Sequence, residues 1–305
     1  MQSRKMLRQD GFETATAWCA GCAVGYLLLS ILGSMIGGVL LEKWRLGPGA
    51  GASIVRYEWM AWCANLAFST IGLVIPILLA LGLGHLPRHQ LRWNIPKKDV
   101  LLPVLAVYLG GSQLAGIAAS WIGQATGSTQ VISLPESGSA CILAFFVLCV
   151  VSPVLEETLF RGAMQGFLRP YGFWLAIVGQ AVPFSLLHGS ASAAFFALLA
   201  GIFFGWLAEY SNSILPGMVL HFVNNTMAFV QMLLINNGAA GAAQMLSILC
   251  LLILPIVGLL VLVWWIRQGG LLQKLERVSR VDRLLYSVPW MLTQIFLLIF
   301  CLFLA

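Results

Sequence analysis

The chain is dominated by apolar segments of 20 residues or more that no charge interrupts, such as residues 14–41 and 244–266. A helix of about 20 apolar residues crosses a hydrocarbon core of about 30 Å. Only 9% of the residues are charged, against roughly 25% in soluble domains, which excludes a water-soluble fold. Because the alternating pattern of a membrane β-barrel is absent, we expect an all-α, polytopic transmembrane helical bundle.

The order of apolar segments and polar connectors predicts about eight or nine membrane spans. The predicted spans are residues 14–41, 60–84, 100–123, 139–168, 172–189, 192–209, 214–235, 244–266 and 286–304. With the N-terminus in the cytoplasm, all lysines and arginines except Lys43, Arg45 and Arg56 fall on the cytoplasmic side, as the positive-inside rule requires. The sequence therefore predicts a multi-pass membrane protein with a cytoplasmic N-terminus. Its basic residues form no continuous face, which argues against a nucleic-acid partner.

The predicted span 139–168 contains three ionisable side chains, Glu156, Glu157 and Arg161, after a segment without charge. A charge at bilayer depth costs about 2.5 kcal/mol or more, so such a cluster indicates a functional site. Residues four apart share a helix face, and Glu157 can therefore pair with Arg161. Glu156 points about 100° away from its neighbour and is left without a counter-charge, as a candidate general base.

Two histidines in apolar surroundings can reach this cluster. Glu156 and His188 both lie 16 residues from Gly172, so a helical hairpin that turns there brings them to the same depth, roughly 24 Å from the turn. Phe184 with His188, and His221 with Asn225, also have the spacing of one helix face. Prolines precede the polar residues of all three helices, and each can free a backbone carbonyl beside the site. These prolines are Pro153, Pro183 and Pro216.

These motifs occur together and in order: EExxxR at Glu156, FxxxH at Phe184 and HxxxN at His221. The set resembles the CAAX protease and bacteriocin-processing (CPBP, or Abi) family of intramembrane glutamate-dependent endopeptidases. The resemblance covers about residues 139–235. It implies that this segment is a CAAX-protease-like catalytic core. The chain therefore has three parts, the core and the segments before and after it. These are 1–138, accessory transmembrane helices; 139–235, the core; and 236–305, C-terminal helices with a basic cytoplasmic loop at 267–285.

The resemblance also implies roles for the individual residues. Glu156 and His188 would activate a water molecule, while His221 and Asn225 would form an oxyanion hole. Three further residues would shape the site, namely Glu157, Arg161 and Phe184. The implied reaction is hydrolysis of hydrophobic or lipidated peptides within the lipid bilayer, without a cofactor. The loops and the short chain favour a bacterial cell membrane.

Two other interpretations stay open at this point. Two histidines and a glutamate resemble a catalytic zinc site, although the HExxH helix that identifies such sites is missing, and the family resemblance implies metal-independent hydrolysis. The same buried charges can also serve a non-catalytic transporter or a bacteriocin-immunity factor, through proton coupling or peptide binding. Internal inverted repeats would favour transport, and the sequence has no evident one.

Overall fold

A computed structural model describes residues 2–45, 54–96, 98–128 and 134–268, and these residues form helices without any β-strand. The all-α prediction is therefore confirmed for this part of the chain. The long helices are α1 (Gln2–Arg45), α2 (Ile54–Gly82), α3 (Lys98–Thr126), α4 (Gly138–Tyr171), α5 (Phe173–Leu186), α6 (Ala191–Ser211), α7 (Leu215–Asn236) and α8 (Ala240–Arg267). A short 3₁₀ helix, Arg88–Leu91, lies between α2 and α3.

Seven of these helices are long and apolar enough to cross a membrane, which makes the protein an integral multi-pass membrane protein. The exception is α5, which has 14 residues and is therefore about 21 Å long, shorter than the hydrocarbon core. The predicted span 172–189 is thus too long, because the helix ends at Leu186. The predicted span 286–304 lies outside the described residues, as does nearly all of the predicted basic loop 267–285.

The helices pack in a connected bundle, with α1 along α2, α5 along α6, and α3 against both α6 and α8. Small residues allow the closest approach, as is usual between membrane helices. A Cβ atom on Gly201 of α6 would lie 3.1 Å from the Cβ of Ala181 on α5. One on Gly205 would lie 2.5 Å from Nε2 of Gln180. A larger side chain at Gly201 would press on α5, which leads to His188, and one at Gly205 would displace the amide group of Gln180.

A buried polar network joins the connector after α2 to the ends of α4 and α6. Arg92 is only 1% exposed and pairs with Glu209, while its Nη1 donates to the carbonyl of Ala208 at 2.7 Å. The second carboxylate oxygen of Glu209 accepts from Nε of Arg169 at 3.1 Å. Burial lowers the pKa of Arg92, and the neighbouring Glu209 acts in the opposite direction. The network thus joins three segments at one end of the bundle, through the ion pairs of Arg92 and Arg169 with one carboxylate.

Candidate active site

The helix that carries the glutamates, α4, contains two π-helical segments. It is π-helical over Phe146–Val151 and Thr158–Met164, and α-helical over Ser152–Glu157 between them. Single turns of π-helix inside α-helices are frequent at functional sites. Here the two wide turns enclose the short segment on which Glu156 lies.

Pro153 explains one contact of this segment with α7. The backbone N–H of Ser152 donates to the carbonyl of Val147, five residues back. In the same register, residue 153 would donate to the carbonyl of Leu148, but a proline has no N–H. The side chain of Asn225 supplies the missing donor, with its Nδ2 at 2.9 Å from that carbonyl oxygen. The expected free carbonyl therefore exists, and it attaches α7 to α4.

The pair of Glu157 and Arg161 is completely buried. Nη1 of Arg161 donates to Oε1 of Glu157 at 2.9 Å, and both side chains are 0% exposed. The predicted ion pair is therefore present. The same carboxylate oxygen also lies 3.1 Å from Nδ1 of His221 on α7. Because this carboxylate accepts a hydrogen bond from each neighbour, it fixes the orientation of the imidazole ring.

Glu156 lies on the other side of His221. Its Oε2 is 3.8 Å from Nε2 of the imidazole, and 17% of its side chain is exposed. The two adjacent glutamates therefore occupy different environments, because Glu157 is inaccessible and paired with an arginine. Of these two carboxylates, only that of Glu156 is partly exposed.

His188 comes directly after α5 instead of within it, because Gly189 has a φ of +73° and Ser190 caps the first turn of α6. The last carbonyls of a helix lack backbone partners, and Nδ1 of His188 lies 2.8 Å from one of them, that of Phe184. A carbonyl only accepts, so Nδ1 carries the proton. In the neutral ring, Nε2 is then free to accept one.

The aromatic ring of Phe184 lies close to three residues of the site. The ring of Phe184 is 3% exposed and lies 4.9 Å from the ring of His188 and 6.1 Å from that of His221. The guanidinium carbon of Arg161 lies 4.1 Å above its centroid, a cation–π distance. On the opposite side, the ring of Phe204 lies 5.8 Å from that of His221. Phe184 thus contacts both histidines and the arginine of the site.

A cavity of about 430 Å³ opens beside these residues, between α3, α5, α6 and α7. Four of the predicted residues line it, namely Phe184, His188, His221 and Asn225. Asn224, a weaker candidate because helix spacing places it about 100° from the face of His221, also lines the cavity and donates through Nδ2 to Oδ1 of Asn225 at 3.4 Å. Tyr108, which no motif indicates, lines it from α3.

Residues 138–227 match a family model described as type II CAAX prenyl endopeptidase, Rce1-like. This part of the chain resembles the CPBP family, as its three motifs predict. The matched region contains every predicted site residue and starts at the first residue of α4. No curated protein and no solved structure matches the chain. The match indicates a membrane-embedded protease of the CAAX type.

The site differs in two respects from the predicted arrangement. Glu156 lies 3.8 Å from His221, whereas Nδ1 of His188 contacts the carbonyl of Phe184. Glu156 is also not among the described residues that line the cavity, whereas His188, His221 and Asn225 line it. A direct partnership between Glu156 and His188 stays a prediction. Among the described residues, no three histidine, cysteine, aspartate or glutamate side chains come together in a group that could hold a metal ion.

Proposed function

We propose that the protein is an intramembrane endopeptidase in which Glu156 activates a water molecule to hydrolyse a peptide bond. One observation carries the proposal: of two adjacent glutamates, the partly exposed Glu156 lies 3.8 Å from His221, and the other is buried and paired. A general base must have a free carboxylate within reach of the reacting water. Only Glu156 meets this condition.

In the proposed reaction, Glu156 takes a proton from the water while the water oxygen attacks the carbonyl carbon of the scissile bond. The tetrahedral intermediate then collapses, the carbon–nitrogen bond breaks, and the leaving nitrogen receives a proton. His188 can relay that proton, since its Nε2 is free to accept and then donate. The products are a new carboxyl terminus and a new amino terminus.

Two side chains are the candidate donors to the developing oxyanion. An amide nitrogen carries two hydrogens, and Asn225 uses one on the carbonyl of Leu148, so the second is available. His221 can donate from Nε2 when both ring nitrogens carry protons, because Nδ1 already faces Glu157. The two residues lie one helical turn apart on α7 and line the same cavity.

We assign the substrates to hydrophobic or lipidated peptides and proteins that reach the cavity from the membrane. The cavity lies between helices of the membrane-spanning bundle, and much of its wall is alanine and phenylalanine from α6, such as Ala193, Phe196 and Ala197. The matched family model describes a prenyl endopeptidase, which makes a prenyl-modified C-terminal segment the first substrate to test. A matched pair of peptides, prenylated and unmodified, separates the contribution of the lipid to KM from its contribution to kcat.

We further propose that the N-terminus is cytoplasmic and that the host membrane is a bacterial cell membrane. The distribution of lysine and arginine supports this orientation. Reporter fusions after α2, α4 and α8 test it directly. Reporters that place the Arg88–Leu91 segment outside the cell would contradict the orientation.

The decisive assay uses the purified full-length protein in lipid nanodiscs with a fluorogenic hydrophobic peptide. We expect cleavage at one peptide bond, identified by mass spectrometry, with the rate unchanged by a chelator such as EDTA or 1,10-phenanthroline. Inhibition by the chelator and recovery with Zn²⁺ would replace the glutamate mechanism with a metal-dependent one. Intact peptide carried across a vesicle membrane along a proton gradient would support the transporter interpretation instead.

A further inference from the structure

A buried tyrosine on α3 contributes to the cavity wall from outside the matched region. Tyr108 is 5% exposed, and it lines the cavity together with His188 and His221. Within the part of the chain that the structure describes, its hydroxyl oxygen is buried and has no hydrogen-bond partner. A buried tyrosine hydroxyl usually has a partner, since burying a hydroxyl without one costs free energy.

The surroundings of Tyr108 connect it to the charged pair on α4. Its ring lies 4.9 Å from the ring of Phe204. The guanidinium carbon of Arg161 lies 5.3 Å from the centroid of that same ring, and the ring of His221 lies 5.8 Å from it. Phe204 is thus the shared neighbour of the tyrosine, the arginine and the histidine. The phenol also interacts electrostatically with Glu157 and Arg161.

The charged pair has unpartnered atoms of its own. Oε2 of Glu157 and both Nε and Nη2 of Arg161 are buried without a hydrogen-bond partner in the described structure. A hydroxyl group can donate one hydrogen bond and also accept. No direct hydrogen bond joins the Tyr108 hydroxyl to the pair, but a hydroxyl can reach a carboxylate and a guanidinium through one bridging water.

We propose that Tyr108 is a positioning residue of the active site. Through one bridging water, its hydroxyl completes the hydrogen bonding of the Glu157–Arg161 pair, and that pair in turn orients His221 through the 3.1 Å contact with Nδ1. This role rests on the proposed peptidase function, and it makes α3 one of the helices that contribute a residue to the active site. It also means that the family-matched segment, residues 138–227, does not by itself contain the complete site.

The test is the substitution Tyr108→Phe in the full-length protein, which removes one oxygen atom and keeps the ring. We expect kcat to fall about tenfold, the effect of losing a hydrogen bond to a charged group, with KM changed by less than about twofold. The matched control is Tyr57→Phe on α2, where the tyrosine is 39% exposed, and it should retain wild-type kcat and KM.

A second variant separates positioning from packing. Tyr108→Leu removes the ring as well and should lower both kcat and the unfolding temperature. If Tyr108→Phe keeps the wild-type kcat and only Tyr108→Leu loses activity, the residue acts by packing alone and the inference is overturned. A wild-type protein without peptidase activity would overturn the proposed function and this inference together, whereas an active wild type with an unaffected Tyr108→Phe would overturn the inference alone.

Discussion

Nδ1 of His221 on α7 lies 3.1 Å from Oε1 of Glu157 on α4, and Arg161 contacts that same oxygen at 2.9 Å. One carboxylate oxygen therefore contacts a buried guanidinium and an imidazole on another helix. In the proposed mechanism the two adjacent glutamates have separate roles: the first activates water, and the second orients the residues around it.

The substitution Glu157→Gln tests this organising role. It keeps the shape of the side chain but leaves Arg161 buried without a counter-charge, which typically costs about 3–5 kcal/mol. We expect a lower unfolding temperature in nanodiscs and a large loss of activity. The double variant Glu157→Gln, Arg161→Met removes both charges and should recover stability but not activity. Recovery of activity in the double variant would contradict the proposed orientation of His221.

Gly217 on α7 is predicted to be necessary for the position of the same carboxylate. A Cβ atom at this residue would lie 2.9 Å from Oε2 of Glu157, too close for undisturbed packing. Because Arg161 and His221 hold the carboxylate, we expect Gly217→Ala to lower kcat by displacing it. Gly241→Ala is the control, since an added Cβ there has no neighbouring atom within 4 Å, and it should leave kcat unchanged. Equal activity of both variants would show that the carboxylate can move without consequence.

The sequence predicted the local part of the site and missed what depends on contacts between distant helices. The spacing of Glu157 and Arg161 was sufficient to predict their ion pair, because residues four apart meet on one helix. The spacing of Phe184 and His188 suggested a continuous helix, but the turn at Gly189 and Ser190 ends it, and the histidine bonds back to the free carbonyl instead. Tyr108 could not be predicted, since only the packing of α3 against α6 brings it to the cavity.

Asn225 has two candidate roles, and Pro153 allows them to be separated. Asn225→Ala should leave the carbonyl of Leu148 without a donor, at a cost of about 1–3 kcal/mol, and should also lower kcat by about 100-fold or more if it removes an oxyanion donor. The double variant Pro153→Ala, Asn225→Ala supplies a backbone N–H at residue 153 for that carbonyl. We expect its unfolding temperature to recover while kcat stays low. If kcat recovers with stability, the contribution of Asn225 is structural.

The polar network around Glu209 is predicted to stabilise the fold with little effect on the chemistry. Glu209→Gln leaves the buried Arg92 without its charge partner, and we expect a loss of about 3 kcal/mol in the free energy of unfolding. At a temperature where the variant is folded, kcat should stay within about threefold of the wild type. Glu136→Gln, at an exposed carboxylate, should change neither quantity. A loss of kcat in folded Glu209→Gln would show that the network is coupled to the site.

The central claim is that the carboxylate at position 156 activates the attacking water, and the most direct measurement is the single-turnover cleavage rate of Glu156→Gln in nanodiscs. The amide keeps the size of the side chain but accepts protons poorly, so the account predicts a rate at least about 100-fold below wild type, with unchanged unfolding temperature and peptide binding. A folded Glu156→Gln variant that cleaves the same bond at the wild-type rate would contradict it.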